Sequence, residues 1–350
     1  MLKTALCEQL GIDYPILSAG IGGAATAELA AAVSNAGGCG VIGNGGNGSA
    51  YIRNQVGRIR RLTERPFGLN IILGDEEDPE NFEVLKTCID ERIPILVFFW
   101  GDPRPLVADA HRHGIKVLLQ VGSVEEAKRA AEGGVDAIIA QGSEAGGHVR
   151  GTTALSVLVP AVVDAVRPVP VIASGGIADG RGLAAALALG AQAVSLGTRF
   201  LASEEAPIPR AYKEAVVAST ATDTVYSTYL FDVGWPDAPH RFIRNRIVRE
   251  WEEAGQPPSG QRPGEGTIIG TRLMGDERSE IKKYTSFTPT VGFEGDVESI
   301  AFWAGQSCSL IHDIKPAGEI VRDLVEEAEA VIQSMHDLVA RPRATTTINI

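Results

Sequence analysis

Between Pro15 and Val217 the chain repeats one unit eight times: a short apolar run rich in β-branched residues, a Gly- or Pro-containing turn, then an Ala/Leu/Glu-rich stretch of helical length. The runs fall at Pro15–Ala19, Gly40–Gly43, Phe67–Leu73, Ile95–Phe99, Lys116–Val121, Ala137–Gln141, Val169–Ser174 and Ala193–Gly197. Helical stretches follow at Ala25–Asn35, Ala50–Thr63, Asn81–Glu91, Pro105–His113, Ser123–Glu132, Thr152–Val166, Gly180–Leu189 and Ile208–Val217. Several runs are apolar throughout, as parallel strands covered on both faces are. Ser123 with Glu126 reads as a capping box for the fifth helix. Eight such units in roughly 200 residues is the count and size of an α/β (β/α)8 TIM barrel.

An open doubly wound sheet shares this alternation. Gly20-Ile21-Gly22-Gly23-Ala24-Ala25 meets a loose dinucleotide fingerprint, but Asn44 stands where an acidic ribose ligand is expected after the next strand. Gly43-Asn44-Gly45-Gly46-Asn47-Gly48 matches as well, at a second strand. Forty glycines among 350 residues make loose matches common, and the even size of the units favours closure.

After about Ala221 the pattern changes. Residues 222–290 carry Trp235-Pro236-Asp237-Ala238-Pro239-His240 and the polar stretch Gln256–Gly266, which reads as exposed and dispensable. Trp303–Ile332 reads as helix. The expected division is a barrel with closing helices over 1–220 and 296–335, a C-terminal cap or lid over 221–295, and a frayed tail over 341–350. Asp plus Glu exceed Lys plus Arg by 44 to 32, a net charge of −12, which disfavours nucleic-acid and anionic-membrane partners. No apolar run approaches the roughly 18 residues of a spanning helix. Neither a signal-peptide core nor a CxxC pair is evident, so a cytoplasmic location is expected.

Three Gly-rich segments fall at the ends of the last three strands, which in a barrel share one face. They are Gln141-Gly142-Ser143-Glu144-Ala145-Gly146-Gly147-His148, Ser174-Gly175-Gly176-Ile177-Ala178-Asp179-Gly180 and Gly197-Thr198-Arg199-Phe200. The second and third have the form of a phosphate site built from backbone N–H groups at a helix N-terminus. His148 differs from the other five histidines in following two glycines just beyond a strand, where an imidazole of ordinary pKa could act as a base near neutral pH. No His, Cys or acidic cluster has metal-ligand spacing, and no GxSxG occurs, so neither a metal nor a serine nucleophile is expected. Cys39 reads as core, and Cys308 lies in a segment that could approach a cofactor.

In these three segments the chain resembles the nitronate monooxygenase family, formerly the 2-nitropropane dioxygenases, along a stretch from Pro15 to about Ser334. The resemblance implies an FMN-dependent barrel oxidising alkyl nitronates, and by extension nitroalkanes, with O2 to carbonyl compounds and nitrite. It implies His148 as the catalytic base or substrate-orienting imidazole. Gly175, Gly176, Gly197 and Thr198 would hold the FMN phosphate, and Asn70 and Gln120 would reach the ring or ribityl chain. Ala19, Gly20 and Ile21 would lie against the isoalloxazine. Gln141, Gly146 and Gly147 would line the flavin, and Gly305 and Gln306 would touch its edge. Flavin-type enoyl-ACP reductases and NADH:quinone reductases look similar over the same segments. An NAD(P)H-dependent reductase of enoyl thioesters or quinones is therefore the alternative, with a homodimer compatible with either.

Overall fold

The computed structural model describes residues 2–74, 78–274 and 277–340; the expected tail 341–350 lies outside them. A helix that the repeat pattern did not reveal, α1 (Ala5–Leu10), comes first. The barrel strands are β1 (Ile16–Ser18), β2 (Gly40–Gly43), β3 (Phe67–Ile72), β4 (Ile95–Phe99), β5 (Lys116–Val121) and β6 (Ala137–Gln141). After the two-residue β7 (Gly147–His148) come the last two, β8 (Val171–Ser174) and β9 (Ala193–Leu196). Their order, β1-β9-β8-β6-β5-β4-β3-β2, is parallel throughout. A parallel bridge between Leu17 and Cys39 closes the ring, with the Cys39 N–H donating to the Ile16 carbonyl at 2.8 Å. This closure excludes the open sheet and makes the fold a (β/α)8 barrel.

The outer ring is α2 (Ala27–Asn35), α3 (Ser49–Leu62), α4 (Pro79–Asp90), α5 (Arg104–Arg112), α6 (Val124–Glu132), α7 (Leu155–Val166) and α8 (Gly180–Ala188). The short α9 (Thr198–Leu201) and α10 (Arg210–Ala218) follow β9. Ser123 caps α6 by accepting from the Glu126 N–H at 3.2 Å, as the sequence indicates. Among the described residues, no helix is long and apolar enough to cross a membrane.

Side chains alternate along a strand, so each barrel strand has inward and outward positions. The inward ones in the lower layers are apolar: Leu17, Val41, Ile95, Val97, Leu118, Ala137, Ile139, Ile172 and Ala193 form one buried cluster. Leu6, Cys7 and Leu10 of α1 join it from below and seal that end. Thr4 fastens the plug through its hydroxyl, which donates to the Gln192 carbonyl at 2.7 Å. One step farther along, the inward positions turn polar on five of the eight strands, at Asn70, Gln120, Gln141, Ser174 and Ser195. The barrel thus has a greasy floor and a polar ceiling.

Over that ceiling lies the cap, with β10 (Thr224–Ser227), β11 (His240–Ile243), α11 (Arg246–Glu253), β12 (Ile268–Met274), β13 (Glu277–Lys282) and β14 (Phe293–Gly295). β12 pairs with both β13 and β14. β11 pairs with β10 and also with β7, in the register His240↔His148 and Arg241↔Gly147, so the cap is an extension of the barrel's own loop.

Two expectations need correction. Trp303–Ile332 is not one helix: a 3-10 turn occupies Gln306–Leu310, and α12 starts only at Ala317, extending to Ala340. Gly305 is extended (φ −87°, ψ 175°) because the chain must pass against the β6 loop, and Pro316 supplies the carbonyl that starts the helix. Gln256–Gly266 is mostly exposed, as expected, but it is anchored rather than loose. Arg262 is 4% exposed, with its guanidinium paired to Asp232 (2.7 Å) and Glu265 and stacked over Tyr284 at 4.6 Å. Tyr284 returns a hydrogen bond to the Pro263 carbonyl at 2.9 Å, and Trp251 donates to the Pro257 carbonyl at 2.9 Å. Composition showed the prolines and glycines but not this buried staple. Arg262→Ala strands two partly buried carboxylates and is expected to cost about 2–4 kcal/mol in urea unfolding. A loss under 1 kcal/mol would return the segment to the surface class.

Candidate active site

A cavity of about 1330 Å³ opens at the C-terminal ends of the barrel strands, under the cap. That exceeds the roughly 300–1,000 Å³ of a single-ligand pocket and leaves room for a cofactor together with a substrate. Its floor is the polar ceiling of the barrel: Asn70, Gln120, Gln141, Ser174 and Ser195. Ser174 and Ser195 were not singled out from sequence, although the period-two step from Ile172 and Ala193 points to them.

The residues expected along one wall are there. Ala19, Gly20 and Ile21 line the cavity beside Asn70, whose amide donates to the Val97 carbonyl at 2.9 Å. A Cβ at Gly20 would collide with the Asn70 side chain, so the glycine makes room for the amide. Gln141 also lines the cavity, but both ends of its amide are engaged: Nε2 donates to the His148 carbonyl and Oε1 accepts from the Arg150 N–H, each at 2.9 Å. Its visible work is to fix the loop that carries His148.

Gly175, Gly176, Gly197 and Thr198 line the opposite wall. Gly175 and Gly176 have φ of +102° and +71°, a left-handed pair that other residues adopt at a cost. Among the described residues, the N–H groups of Gly175, Gly176, Gly197 and Thr198 find no acceptor. Thr198 is buried and the three glycines are half-buried at the cavity wall, and free N–H groups of successive residues beside a left-handed glycine pair have the form of an anion nest. At the start of α8 two N–H groups are already committed: Asp179 accepts from the Gly182 N–H at 3.0 Å, and Glu327 accepts from the Gly180 N–H at 2.8 Å. The start of α9 is not, since the Gly197 and Thr198 N–H groups belong to the free set.

Gly146 and Gly147 also border the cavity, whereas Gly305 and Gln306 do not; Trp303 and Ser307 line it in their place. Gly146 and Gly305 are glycines for a different reason. A Cβ on Gly146 would overlap the Gly305 nitrogen, and one on Gly305 would press on the Glu144 carbonyl. The Gly305 N–H donates to Thr198 Oγ1 at 2.9 Å, tying the cap segment to the nest wall. Cys308 does not line the cavity, and Cys39 is core, with burial pushing its thiol up to about 12.

His148 projects into an aromatic box. Its ring centroid lies 4.0 Å from Trp235, 5.6 Å from Trp303 and 6.3 Å from Trp100, with Ser286 Oγ 3.3 Å from Nε2. His240 stands 5.8 Å away, fully buried. Its Nδ1 faces the Ala238 carbonyl at 2.8 Å and its Nε2 accepts from the Phe231 N–H at 3.1 Å, which fixes a neutral tautomer. Burial, with a smaller contribution from His240, drops His148 to about 3, and burial drops His240 to about 4. The near-neutral base expected from the unperturbed pKa is therefore a neutral imidazole at pH 7, with little appetite for a proton. Trp100, Ser286 and the Trp235–His240 stretch come from separate parts of the chain, and nothing local in the sequence ties them to His148.

The cavity fits a phosphate-bearing flavin. The nest offers unspent N–H groups, the floor offers amides and hydroxyls, and Asn44 adds a buried Oδ1 with no partner at the cavity wall. Among the described residues no group of three His, Cys, Asp or Glu could hold a metal ion.

The family model for nitronate monooxygenase matches residues 3–327. The chain belongs to the nitronate monooxygenase family. Membership makes it a flavin-dependent oxidoreductase. A probable nitronate monooxygenase of Staphylococcus aureus (strain Newman) is 30% identical over 95% of this chain and 99% of its own. A (3aS,4S,5R,7aS)-5-hydroxy-7a-methyl-1-oxo-octahydro-1H-indene-4-carboxyl-CoA dehydrogenase of Rhodococcus jostii (strain RHA1) is 36% identical over 73% of this chain and 69% of its own. Among solved structures, FabK from Thermotoga maritima matches with a TM-score of 0.82 at 35% identity, covering 97% of this chain and all of that one. A nitroalkane oxidase from Streptomyces ansochromogenes matches with a TM-score of 0.75 at 27% identity, over 95% of this chain. The family is thus broader than one reaction.

Gly176→Val puts a branched side chain on a residue with φ +71° beside Glu144, in the wall of the nest. Dialysis of that variant is expected to strip the flavin while circular dichroism stays unchanged. Full flavin retention would take Gly176 off the cofactor.

Proposed function

We propose that the protein is an FMN-dependent nitronate monooxygenase that converts a preformed alkyl nitronate and O2 to a carbonyl compound and nitrite. The observation that carries this reading is the neutral, desolvated His148 in its tryptophan box on the cavity wall. A neutral imidazole there can donate a hydrogen bond to the nitro oxygens of an anion, and charge-assisted bonds are about twice as strong as neutral ones. With a pKa of about 3 it is a weak base, so the site favours the nitronate over a neutral nitroalkane needing deprotonation.

FMN, when bound, supplies the acceptance of electrons from substrate and the reaction with O2. The chain's own residues do the rest. Gly175, Gly176, Gly197 and Thr198 would hold the phosphate through their N–H groups. Asn70 and Gln120 would meet the polar edge of the ring, with Ala19, Gly20 and Ile21 against its face. Trp100, Trp235 and Trp303 keep water from His148, which strengthens its hydrogen bond to an anion. Gln141 and the β7–β11 pairing hold His148 where it stands.

The similarity to FabK and to the Rhodococcus indene-carboxyl-CoA dehydrogenase favours a second reading, an NAD(P)H-dependent reductase of enoyl thioesters or quinones on the same barrel. Anaerobic mixing separates the two. Propionate-3-nitronate is expected to bleach the bound flavin much faster than NADH or NADPH, and the reverse order would overturn the leading reading. The flavin released on denaturation is expected to chromatograph as FMN, and FAD would contradict the nest as the phosphate terminus.

His148 can be tested as a donor rather than a base. His148→Phe is expected to lose about 10- to 100-fold in kcat/KM for a nitronate, the value of one hydrogen bond to a charged group, while His148→Asn keeps most of the activity. Because burial lowers its pKa to about 3, the ring is protonated only in strong acid and stays neutral above. The wild-type kcat/KM for nitronate should then be flat from pH 6 to 9. A limb near pH 6.5 that disappears in His148→Asn would restore the base.

A further inference from the structure

Arg272 lies on β12, in the cap, and lines the cavity. Its guanidinium sits over the Phe287 ring, 5.6 Å from the centroid, and the preceding residue, Ser286, is the one that meets His148. Its Nε is fully buried and has no acceptor. Among the described residues no carboxylate pairs with it, and burial alone moves its pKa, downward from the ordinary arginine value. The Nε of Arg199 and of Arg262 is likewise without an acceptor, but those guanidiniums bond through their other nitrogens, and that of Arg241 is bonded as well. Arg199 donates to the Asp313 carbonyl and carboxylate, Arg241 to the Ser143 carbonyl and Thr224 hydroxyl, and Arg262 to Asp232 and Glu265. Arg272 instead keeps an unspent planar fork of donors facing the space left for substrate. Arg272 is half-buried, its guanidinium stays protonated there, and a partly desolvated charge without a partner carries a cost. A ligand that brings the partner removes that cost, and the fork matches a carboxylate or phosphate bidentately.

We propose that Arg272 selects the substrate of this cavity, which carries a carboxylate or phosphate that docks on the guanidinium while its reacting carbon faces His148. This deepens the proposed function and rests on the cavity being the catalytic site, but not on which of the two reactions occurs there. A small uncharged nitroalkane or simple quinone would leave the guanidinium unpaired. A nitronate with a second, carboxylate end would satisfy it, as would a thioester whose carrier bears a phosphate.

The test measures binding rather than turnover, so inert nitronates would sink the proposed reaction and leave this result readable. Two matched pairs of probes are titrated into holoprotein: glutarate against glutaramide, and 4′-phosphopantetheine against pantetheine. Quenching of the cavity tryptophans and perturbation of the flavin spectrum report binding. Arg272→Met keeps an apolar stem on Phe287 and removes the charge. It is expected to weaken the charged member of at least one pair by about 10- to 100-fold, with the neutral member changed by less than about 3-fold. The pair that responds identifies the source of the oxyanion. Arg272→Lys, which keeps the charge without the fork, is expected to lose less. Equal loss for charged and neutral members, a wild type that does not prefer the charged member of either pair, or loss of flavin from both variants would overturn the assignment. Weakened NADPH binding with both pairs unaffected would also overturn it, transferring the guanidinium to the nucleotide.

Discussion

At Gly146 and Gly305 two backbones pass so closely that neither can carry a Cβ. One belongs to the loop after β6, the other to the segment that returns from the cap to α12. Their contact, the Gly305 N–H bond to Thr198 and the β7–β11 ladder all act through main chain or a single hydroxyl. Each such bond is worth only about 0.5–1.5 kcal/mol net, but together they fix a distance rather than merely an energy. That distance sets where His148 stands relative to the nest. If the loop drifted, the aromatic box would open and its histidine would regain water, and with it an ordinary proton affinity.

The electrostatics follow from this enclosure. The protein carries a net charge of −12, yet the cavity presents unspent donors: the nest N–H groups and the Arg272 guanidinium. His148, three tryptophans, side-chain amides and the carboxylates of Glu28, Asp78, Glu80 and Glu205 line the same cavity. In a region of low dielectric each donor acts more strongly than it would in water. The ligand set proposed above accordingly has two negative ends, one at the nest and one at Arg272, with its reacting group beside His148.

The barrel was legible because each strand had to be apolar on both faces and each turn had to be short, constraints that recur in every unit. The place of Gly175, Gly176 and Gly197 on the cavity wall was legible for a related reason, since position at a strand end and lack of a side chain are both local properties. The close crossing that requires glycine at Gly305 was not, because the segment it passes lies about 160 residues earlier. Ser174 and Ser195 were available from the period of the strands, but small polar residues inside apolar runs are easy to pass over. Trp100, Trp235, His240 and Arg272 were not available at all. Each lies in a loop or cap strand with no periodic neighbour, and its meaning arises only from what the fold brings against it. Arg262 shows the converse error, where a polar, Pro-rich composition hid a buried ion pair.

The helix beneath the barrel has a consequence for traffic. With α1 packed into the floor and the lower strand layers filled by Leu17, Val97, Leu118 and Ile172, molecules of substrate size enter and leave over a single rim. The segment Ser286–Val291 lines the cavity and runs from the buried Phe287 out to the exposed Val291. A vessel with one mouth imposes a queue: a first product lying over the cofactor blocks the second organic reactant until it departs. Ping-pong order would then be a property of the architecture, present before any residue chooses between chemistries.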